Sequence, residues 1–164
     1  LDRGWKIESV INTHAHIDHI VENAWYVEKC GGPLYLNPKD QYLIDELPRW
    51  SAWMGVPCPV QIYPDRELFS SCELYVGDIK ISVLETPGHS PGSITLLCQN
   101  CAIVGDVLFK GGIGRTDLPG GNHAQLRASI TDQLLGLDDD LIVYPGHGEP
   151  TTIGYERTTN PFLR

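Results

Sequence analysis

Short apolar runs alternate with turns of Gly, Pro, Asn and Asp along this chain, and four of them share one layout. Val10–Thr13 runs into His14-Ala15-His16-Ile17-Asp18-His19, and Ile79–Glu85 runs into Thr86-Pro87-Gly88-His89-Ser90. Ala102–Val104 runs into Gly105-Asp106, and Leu141–Tyr144 into Pro145-Gly146-His147-Gly148. Runs rich in Val and Ile and bounded by Gly or Pro predict buried strands. Between them the pattern predicts helices over about 18–30, 38–47 and 122–136. Asp18 is the expected N-cap of the first, with Ile20, Trp25 and Val27 on its apolar face. Asn122 is the expected cap of the third, where Leu126, Ile130 and Leu134 recur every four residues. Pro48, Pro57, Pro59 and Pro64 exclude a long helix over 48–66 and predict a loop or lid there.

In α/β sheets, ligands gather beyond the carboxyl ends of strands, so four strand ends carrying His or Asp predict one shared site. Alternate residues of an extended segment point to one side, which pairs His14 with His16. Asp18 and His19 follow as a helix begins, and His89, Asp106 and His147 add donors from the other strand ends. Imidazole and carboxylate without thiolate suit Zn, Fe or Mn and argue against a purely structural zinc site.

Composition narrows the partners. The 164 residues fit one domain, and 12 Lys+Arg against 21 Asp+Glu give a net charge of −9. Such a surface does not suit nucleic acid or an anionic membrane, which need clustered cations. No apolar stretch approaches the length of a membrane span. Five cysteines, an odd number in a chain that needs no disulfide framework, predict reduced thiols and a cytoplasmic location. Cys98-Gln99-Asn100-Cys101 has the spacing of a redox or zinc half-site but lies between two strand runs, and a hairpin turn is expected. Cys30, Cys58 and Cys72 are expected as ordinary buried or loop thiols, and His123 on a helix surface. Trp50, Trp53 and Met54 are candidates for pocket lining or for apolar packing.

The segment Thr13-His14-Ala15-His16-Ile17-Asp18-His19 resembles the signature of the metallo-β-lactamase superfamily, and the three later turns follow in the family's order. Gly105-Asp106-Val107-Leu108-Phe109, with Gly114-Arg115-Thr116-Asp117-Leu118-Pro119-Gly120-Gly121, is similar to the glyoxalase II-like (hydroxyacylglutathione hydrolase-like) branch. Thr151-Thr152-Ile153-Gly154 and Asn160-Pro161 resemble that branch's small bacterial members. The resemblance implies an α+β fold, the αβ/βα four-layer sandwich, as a single domain over 1–164. It also implies that roughly 50 residues of the family's first strands and helix are absent, which would expose a sheet edge or call for another chain to cover it.

The same resemblance implies two metal positions, with Zn2+ expected and Fe or Mn as alternatives. His14, His16 and His89 would hold the first, Asp18, His19 and His147 the second, and Asp106 would bridge them. Asp18 and Asp106 are then the catalytic carboxylates. Two cations sharing a hydroxide lower its pKa toward about 7, so no Ser or Cys nucleophile is required. Arg115 matches a basic position that contacts the glutathione carboxylate, and its guanidinium suits bidentate binding. Two departures stand out. The chain ends 17 residues after His147, without the helical domain that grips glutathione in glyoxalase II, and Gly148-Glu149-Pro150 stands where the family often has a Tyr. The implied activity is hydrolysis of a thioester, acyl-glutathione or a related small one. The alternative is a persulfide dioxygenase-like enzyme with one iron on His14, His89 and Asp106. A non-catalytic assembly role is the third reading.

Overall fold

The computed structural model describes residue 4 and residues 6–164, with Cys30 described by its backbone alone. The chain falls into two compact units that meet at Leu68 and Phe69.

In the N-terminal unit the order is β1 (Val10–Ile11), α1 (Ile17–Ile20), α2 (Asn23–Cys30), β2 (Leu34–Leu36), a 3-10 turn (Pro38–Asp40), α3 (Gln41–Asp45), α4 (Leu47–Met54) and β3 (Arg66–Glu67). The three strands form a parallel sheet in the order β1-β2-β3. Leu36, Leu43, Ile44 and Leu47 pack with Ala15 and Ile20 beneath the His-rich turn. Each such aliphatic side chain contributes about 1.5–3 kcal/mol when fully buried.

Three helix expectations change here. The predicted helix over 18–30 is two helices, broken at Val21 and Glu22. The break shifts the helical phase, so Ile20 is buried while Trp25 is 45% exposed. His16, in extended conformation, holds the N-cap position in place of Asp18, which lies in the first turn where its charge complements the helix dipole. The proline-rich segment does begin with a helix, α4. Pro48 sits in its first turn, where a missing N–H costs nothing, and Gly55 closes it in the left-handed conformation. Trp53 on that helix is 76% exposed and meets Trp50 edge to face at 5.8 Å, so it is not core.

The C-terminal unit contains β4 (Glu73–Val76), β5 (Ile79–Glu85), β6 (Ile94–Cys98), β7 (Cys101–Gly105), β8 (Leu108–Phe109), β9 (Gly112–Ile113), α5 (His123–Ser129), β10 (Ile142–Pro145), β11 (Thr151–Thr152) and α6 (Ile153–Thr159). Six of these strands form a mixed sheet in the order β11-β10-β7-β6-β5-β4, in which only β10 and β7 run parallel. Alternation decides the faces: Ile81 and Val83 of β5 are buried while Lys80 and Ser82 are exposed. Ala102, Val104 and Val143 pack against Leu126, Ile130, Leu134 and Ile153. The predicted spacing of four on the last long helix holds through burial, although α5 gives way to a π turn over Ile130–Leu134. Asn122 caps α5 as expected, its side chain accepting from the Gln125 N–H at 3.0 Å. The expected hairpin at Gln99-Asn100 joins β6 to β7.

The expected α+β class is what the structure has. No helix among the described residues is long and apolar enough to cross a membrane.

Candidate metal-ligand clusters

The N-terminal cluster is a turn whose side chains are oriented from elsewhere in the same unit. His14 is buried, and its Nδ1 is hydrogen-bonded to the Thr13 hydroxyl at 3.2 Å. Its ring lies 4.9 Å from that of His16 and 4.0 Å from that of His19. Ligand atoms of His14 and His16 come within 4.8 Å of each other, as do those of His14 and His19. Asp18 Oδ2 lies 3.6 Å from His19 Nε2. The backbone beneath is fixed by polar side chains that sequence reading missed. Asp40, fully buried, accepts the Ala15 N–H at 3.1 Å. Asn12 donates to the His19 carbonyl at 3.1 Å and exchanges two hydrogen bonds with Asn23. Asn12 could have been noticed beside the motif; Asp40 carries no local signal.

The C-terminal cluster gathers donors from strand ends. Asp106 follows β7 and His147 follows its parallel neighbour β10, and the Gly146 N–H donates to the Gly105 carbonyl at 2.8 Å, tying the two ends together. Asp106 Oδ2 lies 3.7 Å from His147 Nε2 and 3.7 Å from His89 Nε2. His89 is buried, and its Nδ1–H donates to the Arg115 carbonyl at 2.8 Å, which fixes the tautomer and leaves Nε2 toward Asp106. Two glycines make this approach possible. A Cβ on Gly114 would stand 1.9 Å from the Asp106 carbonyl oxygen and 3.2 Å from His89 Nδ1. A Cβ on Gly88, where φ is +136°, would stand 2.2 Å from the Leu126 nitrogen.

A buried carboxylate that sequence reading also missed braces the approach to Gly114. Glu156 of α6 accepts from Gly111 N–H at 2.9 Å, from the Thr151 hydroxyl at 2.6 Å and from Asn160 Nδ2 at 2.8 Å.

Arg115 is exposed and makes a bidentate pair with Asp117, both bonds 2.7 Å, which holds the Asp117 carboxyl down at about 2. His123 opens α5 on the surface. Cys58 is exposed and Cys72 partly buried, while the Cys30 side chain lies outside the described residues.

Two ligand atoms of one first-row ion, each at about 2.0–2.2 Å, lie no more than roughly 4.4 Å apart. The 3.6 and 3.7 Å pairs meet that limit, so the imidazole and carboxylate sets fit a hard or borderline divalent metal.

Comparison with known proteins gives the same direction. Residues 2–147 match the metallo-beta-lactamase superfamily. The chain is 39% identical to the hydroxyacylglutathione hydrolase GloC of Haemophilus influenzae, over 99% of this chain and 78% of that protein. It is also similar to the crystal structure of BLEG-1 B3 metallo-beta-lactamase, with TM-score 0.91 and 38% identity over 99% of this chain and 79% of that one. TTHA1623, crystallised in a di-iron-bound form, gives 0.90 and 37% over 98% and 80%. The motif order, the α+β fold and these likenesses agree: this chain belongs to the metallo-β-lactamase superfamily.

Proposed function

We propose that this chain is a metal-dependent hydrolase of thioesters, acting on acyl-glutathione or a related small thioester. His14, His16 and His89 would hold one Zn2+, Asp18, His19 and His147 a second, and Asp106 would serve both. The observation that carries the reading is Asp106 Oδ2, placed 3.7 Å from the Nε2 atoms of both His89 and His147. A carboxylate so placed can contribute to two ligand sets at once. The 39% identity to GloC supports the substrate class.

Bound metal supplies polarisation of the acyl carbonyl and a nucleophile derived from water at neutral pH. The chain's residues do the rest. The Arg115 carbonyl holds His89 in one tautomer, and Asp40 holds the backbone of the His14–His19 turn. Asp18, with its side chain 51% exposed, is the carboxylate open to water and can take up the proton that attack releases. Arg115 would grip a substrate carboxylate by exchanging it for Asp117.

A second reading has its own support in the likeness to a di-iron protein. Iron on His14, His89 and Asp106 would form a two-His, one-carboxylate triad suited to oxygenation of a persulfide. One experiment separates them: turnover of a thioester panel, with bound metal and oxygen uptake measured on the same sample. Hydrolysis with two Zn2+ supports the first reading, and oxygen uptake with one iron the second. A metal-loaded chain that does neither overturns both and leaves an assembly role.

A further inference from the structure

The hairpin between β6 and β7 places the Sγ atoms of Cys98 and Cys101 3.1 Å apart. The two residues pair directly across the ladder. Directly opposed residues of an antiparallel pair have Cα atoms about 4.5–5.5 Å apart, inside the roughly 4.4–6.8 Å that a disulfide spans. The turn between them is short and tethered. Gln99 takes a positive φ of 28°, and the Ile142 N–H of β10 donates to the Asn100 carbonyl at 3.1 Å. Both cysteines are partly exposed, so a small reagent can reach them. Burial and the neighbouring thiol push Cys98 up to about 11, so its thiol stays protonated until a partner takes the proton.

We propose that Cys98 and Cys101 form a reversible dithiol–disulfide site that reacts with small organic disulfides. The Cys101 thiolate attacks one sulfur of RSSR, breaking its S–S bond, releasing RS− and leaving Cys101 as a mixed disulfide. The Cys98 thiol then loses its proton to the released RS− and attacks the Cys101 sulfur. The Cys98–Cys101 bond forms, the second RS− leaves and takes a proton from water, and two electrons have passed from the cysteine sulfurs to RSSR. Excess RSH reverses both steps. Cys101 opens β7 and Asp106 follows its end, so the pair stands about five residues, or roughly 16 Å, along the strand from that carboxylate. The inference therefore stands independently of the proposed hydrolysis.

The test treats the whole chain with graded glutathione disulfide at fixed glutathione, quenches with an alkylating agent and weighs the peptide holding both cysteines. The expected result is loss of two hydrogens with no added thiol. It should be half complete at a disulfide concentration about tenfold below that which captures exposed Cys58, because the second step is intramolecular. Cys98→Ser should stop at glutathionylated Cys101 and leave thioester turnover unchanged. Alkylation of both cysteines under conditions that modify Cys58, or accumulation of the mixed disulfide in the unaltered chain, would overturn the proposal.

Discussion

In the N-terminal unit four candidate donors lie within the six residues His14 to His19, whereas in the C-terminal unit three are spread from His89 to His147. The first group shares one turn and a helix of only four residues, which is too short to be rigid alone. Its geometry depends on Asp40, Asn12 and Asn23, buried polar side chains that hold the turn's backbone. The second group needs little such help. Strands β7 and β10 end side by side, so Asp106 and His147 inherit their spacing from the sheet, and His89 is held by one carbonyl across a glycine. Clustered donors thus depend on side-chain hydrogen bonds, and dispersed donors on backbone register and close packing.

That contrast predicts different failures. The largest effect is expected from Asp106→Asn, which removes the charge that would offset two cations. Thioester turnover should be abolished while the circular dichroism spectrum is retained; full turnover at full metal loading would remove Asp106 from the site. Gly114→Ala comes next. Its Cβ must displace the Asp106 carbonyl, so a stability loss of about 1–3 kcal/mol by urea unfolding is expected. Gly136→Ala, with open space around its Cβ, is the matched control and should lose none.

Asp40→Ala should act on the other cluster. It strands a buried N–H, costing about 1–3 kcal/mol, and should weaken metal binding about 10–100-fold by loosening the turn. Asp40→Asn, which keeps an acceptor for the Ala15 N–H, should recover part of both losses.

The smallest effect concerns the exposed Arg115–Asp117 pair. Its folded carboxyl lies at about 2, below the ordinary 3.8, so the pair's contribution is present above about pH 4 and lost as pH falls through 2. Carboxyl titration by NMR should place the Asp117 midpoint near 2 and return it to near 4 in Arg115→Ala. The same variant should raise KM mainly for thioesters carrying a carboxylate. An equal rise for an uncharged thioester would exclude that contact.

Legibility in the sequence followed the same division. The turns that carry the seven candidate donors, the strand ends and the Asn122 cap are legible because each is a local signal: a Gly-bounded turn, alternation or a cap residue. Ile79–Glu85 was legible to the residue because its alternation is regular. The helix over 18–30 was misjudged because its break at Val21 and Glu22 has no Gly or Pro to mark it. Segment 48–66 holds no long helix, as its prolines dictate, but the short α4 at its start is not legible because Pro48 is harmless in a first turn. Asp40, Glu156 and the Arg115 carbonyl were illegible for another reason. Asp40 and the Arg115 carbonyl act on partners 25 and 26 residues away, and Glu156 reaches Gly111 45 residues away; no periodicity records such long-range pairs.

The metal sets proposed above are tested by bound-metal stoichiometry. The chain and a variant altered only in its C-terminal donors (His89→Ala, Asp106→Ala, His147→Ala) would be equilibrated with Zn2+ by dialysis, with folding checked by circular dichroism. Two tightly bound ions per chain are expected and, in the variant, loss of both, because each proposed ligand set includes a residue that the variant lacks. A folded variant that still holds an ion tightly on His14, His16 and His19 would contradict the proposal.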